Sequence, residues 1–162
     1  MTQQVIAKLE ASTPDEMHEL GLKLARLLEA GDLVVLTGPL GAGKTTLTRG
    51  VGEGLTAIGN VSSPTFVIAR THKLDGSRTD LANTVLVHVD AYRLNSAVEL
   101  DDLDIDFANS IVVVEWARDY IDGIAEHWLQ VDINRESEDE AREVTINGIG
   151  QRWEGVEIAF SN

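Results

Sequence analysis

Residues Gly38-Pro39-Leu40-Gly41-Ala42-Gly43-Lys44-Thr45 follow the spacing G-x-x-x-x-G-K-[ST], which points to phosphate chemistry. Glycines let the backbone curl until its N–H groups point at one anion, and a helix starting there adds the positive end of its dipole. Lys44 then reaches the outer phosphates of a nucleotide, the Thr45 hydroxyl can ligate Mg²⁺, and Thr46 falls close to the base-proximal phosphate. A glycine turn that merely carries a lysine would show the same letters. Context separates the two: the apolar run Leu33 to Leu36 precedes the motif, and a helical pattern from Lys44 to about Leu55 follows it.

A triphosphate with Mg²⁺ also calls for a carboxylate near the metal. Two apolar runs end in one: Val85 to Val89 delivers Asp90, and Ile111 to Val114 delivers Glu115. In open α/β sheets ligands sit outside the carboxyl ends of the parallel strands, where Gly38 also emerges. Each acid alone could be a helix cap or a surface acid; together with the phosphate loop they outline a catalytic site. Thr65, in Ser62-Ser63-Pro64-Thr65, occupies a loop that either senses a γ-phosphate or is an ordinary turn. Trp116 follows Glu115 as a core, edge or base-stacking residue. His88 alternates with Asp90 on one strand face and reads as a packed histidine rather than an acid or base, while Arg93 is placed to pair with Asp90, to meet phosphate, or to form a surface ion pair.

These residues need a scaffold. A first strand around Val5, Ile6 and Leu9 leads to Ser12-Thr13-Pro14-Asp15-Glu16, a helix start with a hydroxyl cap, an early proline and acids at the positive dipole end. Leu20, Leu24, Leu27 and Leu28 continue at helical spacing, and Gly31 is the expected stop. Phe66 to His72 and Thr84 to Asp90 predict an antiparallel hairpin joined around Asp75-Gly76. Ile111 to Val114 predicts a central strand covered on both faces, and one or two short helices are expected between Ser96 and Asn109. Trp128 to Ile133, Glu143 to Ile146 and Val156 to Phe160 alternate as antiparallel strands, with a turn signal at Asn147-Gly148. The expected fold is α/β: a P-loop-like three-layer α/β/α arrangement, with a mainly parallel mixed sheet and antiparallel edge strands on the C-terminal side.

Composition sets the outer limits. The chain has 162 residues, 43% apolar and 25% charged, which suits one folded domain over residues 1–162. It holds no cysteine, so disulfide scaffolds, thiolate zinc sites and cysteine nucleophiles are excluded. No apolar run approaches a membrane span, and Glu10, Asp15, Glu16 and Glu19 interrupt any signal-peptide pattern, so a cytoplasmic location is expected. With 13 Lys plus Arg against 27 Asp plus Glu the net charge is −14, which opposes unaided binding of nucleic acid.

No Asn-Lys-x-Asp occurs, so nothing points to guanine. A small-molecule kinase would be of this size, but it wants a lid of clustered arginines, and Arg118, Arg135, Arg142 and Arg152 are scattered among acids. A nucleotide-dependent interaction module with negligible turnover is the other alternative. The motifs GPLGAGKTT (38–46), SPTF (63–66), HVDAYR (88–93), the acidic stretch with Glu99-Leu100 and Asp102-Leu103-Asp104, and Glu115-Trp116 occur in the order and approximate spacing of the TsaE family. Over about Val5 to Ile146 the chain resembles that family, the bacterial P-loop ATPase of tRNA N6-threonylcarbamoyladenosine synthesis.

The resemblance implies a subunit that binds ATP and Mg²⁺ and acts with TsaB and TsaD, which transfer threonylcarbamoyl to adenosine 37 of tRNAs reading ANN codons. It implies that Lys44 holds phosphate in a loop formed by Gly38, Gly41, Ala42 and Gly43, that Thr45 and Glu115 bind Mg²⁺ directly or through water, and that Asp90 serves hydrolysis as a metal or water-positioning group. Thr65 would belong to a switch-like segment and Trp116 would lie beside the nucleotide. Thr13 and Asp15 are candidates for the adenine end, the family's frequent helix threonine being Met17 here. Arg142, with Arg135 as rival, is the basic residue expected to approach the nucleotide from the C-terminal hairpin. Contact with tRNA is expected only through the partners.

Overall fold

A computed structural model describes residues 3–39, 41–59, 61, 69–91, 103–115, 125–134 and 141–156. Its strands are β1 (Gln3–Ala11), β2 (Leu33–Thr37), β3 (Ala69–Lys73), β4 (Val85–Asp90), β5 (Ser110–Glu115), β6 (Trp128–Asn134) and β7 (Arg142–Ile149). Two helices, α1 (Pro14–Ala25) and α2 (Lys44–Gly54), lie between the first three strands. All seven strands join one sheet in the order β1-β7-β6-β2-β5-β4-β3. The inner four, β6, β2, β5 and β4, run parallel; β3 is antiparallel to β4 at one edge, and at the other β7 is antiparallel to β6 and β1 antiparallel to β7. The mixed α/β fold matches expectation, including the antiparallel pairing of β3 with β4, with one refinement: the N-terminal strand, not a C-terminal one, forms the outer edge beyond β7.

Burial explains the central position of β2 and β5. Val34, Val35, Leu36, Val112, Val113 and Val114 are each almost wholly buried. A strand apolar on both faces needs cover on both faces. On one side Met17, Leu20 and Leu24 of α1 and Leu47 and Val51 of α2 form a common core with Val34, Leu36, Val113 and Val131. On the other, Leu103, Ile105, Phe107 and Ala125 pack against Val35, Val87, Val89, Val112 and Val114. Residues 96–102 of the expected short helices lie outside those described, and Phe107–Asn109 form a single 3₁₀ turn.

Thr13 caps α1 as expected: its hydroxyl accepts from the Glu16 N–H at 3.1 Å, and Pro14 occupies the first turn. The helix stops at Ala25 rather than near Gly31. Arg78 explains the early stop, because its guanidinium donates to the Ala25 carbonyl at 2.7 Å and the Leu28 carbonyl at 3.3 Å. Leu28 still enters the core from the turns that follow.

The helices α1 and α2 touch through their backbones. A Cβ on Gly50 would come within 2.1 Å of the His18 carbonyl oxygen, and one on Gly21 within 2.3 Å of the Leu47 carbonyl oxygen. Only glycine permits that approach, and it fixes α2, which the phosphate loop leads into, against the middle of α1.

The Asn147-Gly148 turn expected from sequence is absent. Both residues continue β7, where Gln130 pairs with Asn147 and Leu129 with Gly148. Gly148 is needed for packing, since a Cβ there would meet the Trp153 Cβ at 2.5 Å. The chain turns at Gly150 (φ 93°) into a 3₁₀ turn, Gln151–Trp153, that buries Trp153. Of the expected last strand, residues 157–160 fall outside those described.

Candidate functional site

The phosphate loop links the carboxyl end of β2 to α2. Gly43 caps α2 with φ 111°, a left-handed conformation that disfavours a side chain, and a Cβ there would press on the Met17 Cε at 3.2 Å. Gly38 passes so close to β6 that a Cβ would stand 2.7 Å from the Ile133 carbonyl oxygen. The loop is thus pinned on two sides, by α1 and by β6. Thr37 adds a third tie, its hydroxyl donating to Asp132 across the β2–β6 pair.

Lys44 opens α2 and is only 6% exposed. Its Nζ donates to the carbonyl oxygens of Gly38 at 2.7 Å and Pro39 at 3.0 Å. Burial holds the ammonium below the usual lysine range, while the charges of Glu115 and Asp90 pull the other way. Both carboxylates therefore lie within electrostatic reach of Lys44. Strand register explains how: β4 and β5 are parallel with Asp90 beside Glu115, and β5 and β2 are parallel with Glu115 beside Leu36, one residue before the end of β2. Glu115 is buried and Asp90 half-buried. Thr45 and Thr46, the first residues after Lys44, are half-buried as well.

A second grouping lies beside the loop. Thr13, Pro14, Met17, Gly41, Ala42, Gly43, Thr46 and Arg142 line a cleft of about 170 Å³. Thr13 and Arg142, both expected from the sequence to approach the nucleotide, meet there beside the phosphate loop. Asp15, the other candidate at the adenine end, is exposed and does not line this cleft. Pro14 and Met17 line it as well, Met17 standing where the family often has threonine. Thr65, Trp116, Arg93 and Arg135 lie outside the described residues.

The donor set suits a nucleotide with Mg²⁺. Among the described residues no three His, Asp or Glu side chains form a cluster able to hold a metal alone. A magnesium site that takes a hydroxyl, one or two carboxylates, phosphate oxygens and water requires no such cluster.

A family model described as threonylcarbamoyl adenosine biosynthesis protein TsaE matches residues 11–144. The chain belongs to the TsaE family. It is 50% identical over 149 residues to the Streptomyces coelicolor tRNA threonylcarbamoyladenosine biosynthesis protein TsaE, covering 88% of this chain and 97% of that one. The Bacillus subtilis protein of the same name is 35% identical over 150 residues, covering 91% and 89%. Among solved structures, Bacillus subtilis YdiB superposes with a TM-score of 0.70 at 31% identity, covering 94% of this chain and 90% of that one. The matched segment of this TsaE-family chain runs from the end of β1 through the phosphate loop, Asp90 and Glu115 to Val144 in β7, so it includes Arg142. No described helix is long and apolar enough to cross a membrane.

Proposed function

We propose that this chain is the Mg²⁺-dependent ATP-binding and ATP-hydrolysing subunit of tRNA N6-threonylcarbamoyladenosine synthesis, acting with TsaB and TsaD on tRNAs that read ANN codons. The observation that carries the ATP reading is the buried Lys44 ammonium at the start of α2, flanked electrostatically by Glu115 and Asp90 at the carboxyl ends of neighbouring parallel strands. The tRNA pathway and its partners are inferred from family membership.

In this reading the backbone N–H groups of the loop and Lys44 hold the outer phosphates, which compete with the Gly38 and Pro39 carbonyls for the ammonium. A charged phosphate oxygen is the stronger acceptor. Thr45 and Glu115 would hold Mg²⁺, directly or through water, and Asp90 either joins them or orients the attacking water. The metal neutralises charge on the phosphates when bound. The cleft between Thr13, Met17 and Arg142 takes the adenosine end. Water then replaces ADP on the γ-phosphorus, giving ADP and inorganic phosphate.

The test is Mg·ATP hydrolysis by the wild-type chain, Lys44→Ala and Glu115→Ala, with circular dichroism as the check on folding. Both variants are expected to stay folded and lose hydrolysis. A Glu115→Ala chain that hydrolyses ATP at the wild-type rate would remove the metal assignment. Nucleotide binding without turnover, alone or with partners, would turn the chain into an interaction module.

A further inference from the structure

His88 is fully buried on β4, two residues before Asp90 and on the same face of the sheet. Its register partner on β5 is Val113, so its ring must reach diagonally to touch the end of that strand. It does: Nε2 lies 3.2 Å from Oε2 of Glu115, and both side chains are buried. A carboxylate that accepts from the ring requires hydrogen on Nε2. The other ring nitrogen, Nδ1, is buried with no hydrogen-bond partner among the described residues. A histidine serving only as packing would be expected to satisfy both nitrogens or give way to an apolar residue, since its surroundings include Leu86 and Val113 of the core. Among the described residues the imidazole leaves Nδ1 without a partner and makes one directed bond, to the carboxylate that also faces the charge of Lys44.

We propose that His88 is a positioning residue for Glu115: its Nε2–H fixes the carboxylate from within the sheet so that Glu115 meets the metal in one orientation. The proposal rests on the role given to Glu115 above. Carboxylates that ligate metals are commonly held by outer hydrogen bonds, and removing such a partner typically costs about 10–100-fold in metal affinity or activity. His88 itself touches neither nucleotide nor metal in this account.

The first readout is the ¹⁵N spectrum of the His88 ring in the wild-type chain without nucleotide, which should show the Nε2–H tautomer. A ring protonated on Nδ1 alone would overturn the proposal whatever the variants do. The second is the Mg²⁺ concentration needed for half-maximal ADP binding, measured by calorimetry for His88→Leu, His88→Gln, Glu115→Gln and the double variant His88→Leu/Glu115→Gln. His88→Leu should raise that concentration about tenfold while metal-free ADP affinity is unchanged. His88→Gln, which keeps an N–H donor, should recover part of the loss, and in the Glu115→Gln background the leucine should add nothing. An unchanged Mg²⁺ requirement in both His88 variants, or losses that simply add to that of Glu115→Gln, would reduce His88 to a core residue. Should His88→Leu fail to fold, the glutamine variant and the tautomer decide the matter. A wild-type chain that binds no Mg·ADP would overturn the function proposed above, an outcome distinct from a wild-type chain that binds normally while its His88 variants do not change.

Discussion

Ala11 and Arg142 are partners in the β1–β7 ladder. Because Thr13 follows Ala11 by two residues, this one pairing brings the cap of α1 and the first residue of β7 to the same cleft beside the phosphate loop. Arg142→Ala should therefore weaken ATP binding about tenfold, the loss of one charge-assisted hydrogen bond, with little change in melting temperature. Isothermal titration checks it; unchanged affinity would move the adenosine end elsewhere. Thr13→Ala should behave differently, lowering stability by about 1 kcal/mol through the lost cap.

The close crossing of α1 and α2 makes a second prediction. Gly50→Ala improves local helix propensity, yet its methyl would meet the His18 carbonyl oxygen at 2.1 Å. Backbone contact cannot yield as a flexible side chain does, so the variant should lose about 3 kcal/mol in urea unfolding. Because α2 carries Lys44, its nucleotide affinity should fall as well. A neutral or stabilised Gly50→Ala chain would mean that the helices do not cross as described.

Much of the site is legible in sequence because its parts are local. The strand, glycine turn and helix around Lys44 are contiguous, and Asp90 and Glu115 each end an apolar run, so the parallel arrangement needs only the usual topology of α/β folds. His88 and Glu115 are different: their contact depends on the register of two strands, which no spacing within either strand reveals. The cleft likewise joins Thr13 to Arg142 through the pairing of the first and last described strands. Asn147-Gly148 misleads for a physical reason, since a glycine chosen for its lack of a side chain against Trp153 carries the same letter as one chosen for a turn. The early end of α1 is equally hidden, because Arg78, which caps it, lies far along the chain.

At the opposite end of the sheet, Arg152 clamps Asp32 through two contacts of 3.1 Å, donates to the Leu27 carbonyl at 3.0 Å, and stacks 4.1 Å over Trp153. Arg152→Ala should cost about 2 kcal/mol, the scale of hydrogen bonds to a charged group. Burial raises the Asp32 pKa above 3.8, against the opposing pull of the Glu29 N–H and Arg152. A raised folded pKa means that the native chain binds more protons than the unfolded one in that window, so this contribution is full below 3.8 and lost as pH rises through the folded value. Relative to Asp32→Asn, the wild type should lose stability from pH 3.8 upward in denaturant titrations; a difference moving the other way would contradict the assignment.

A net charge of −14 gives a simpler expectation. The isolated chain should show no tRNA binding in filter assays at physiological salt, because it lacks the cationic surplus that neutralises phosphates. Tight binding by the chain alone would mean that it contacts tRNA without its partners.

The most direct test of the central claim is reconstitution of tRNA modification with TsaB, TsaD, ATP, threonylcarbamoyl donor and an ANN-decoding tRNA, with this chain present, absent or carrying Lys44→Ala. Repeated formation of N6-threonylcarbamoyladenosine at position 37 should occur only with the wild-type chain, and its ATP hydrolysis should rise when the partners are added. Equal modification without the chain, or with Lys44→Ala in its place, would contradict the account.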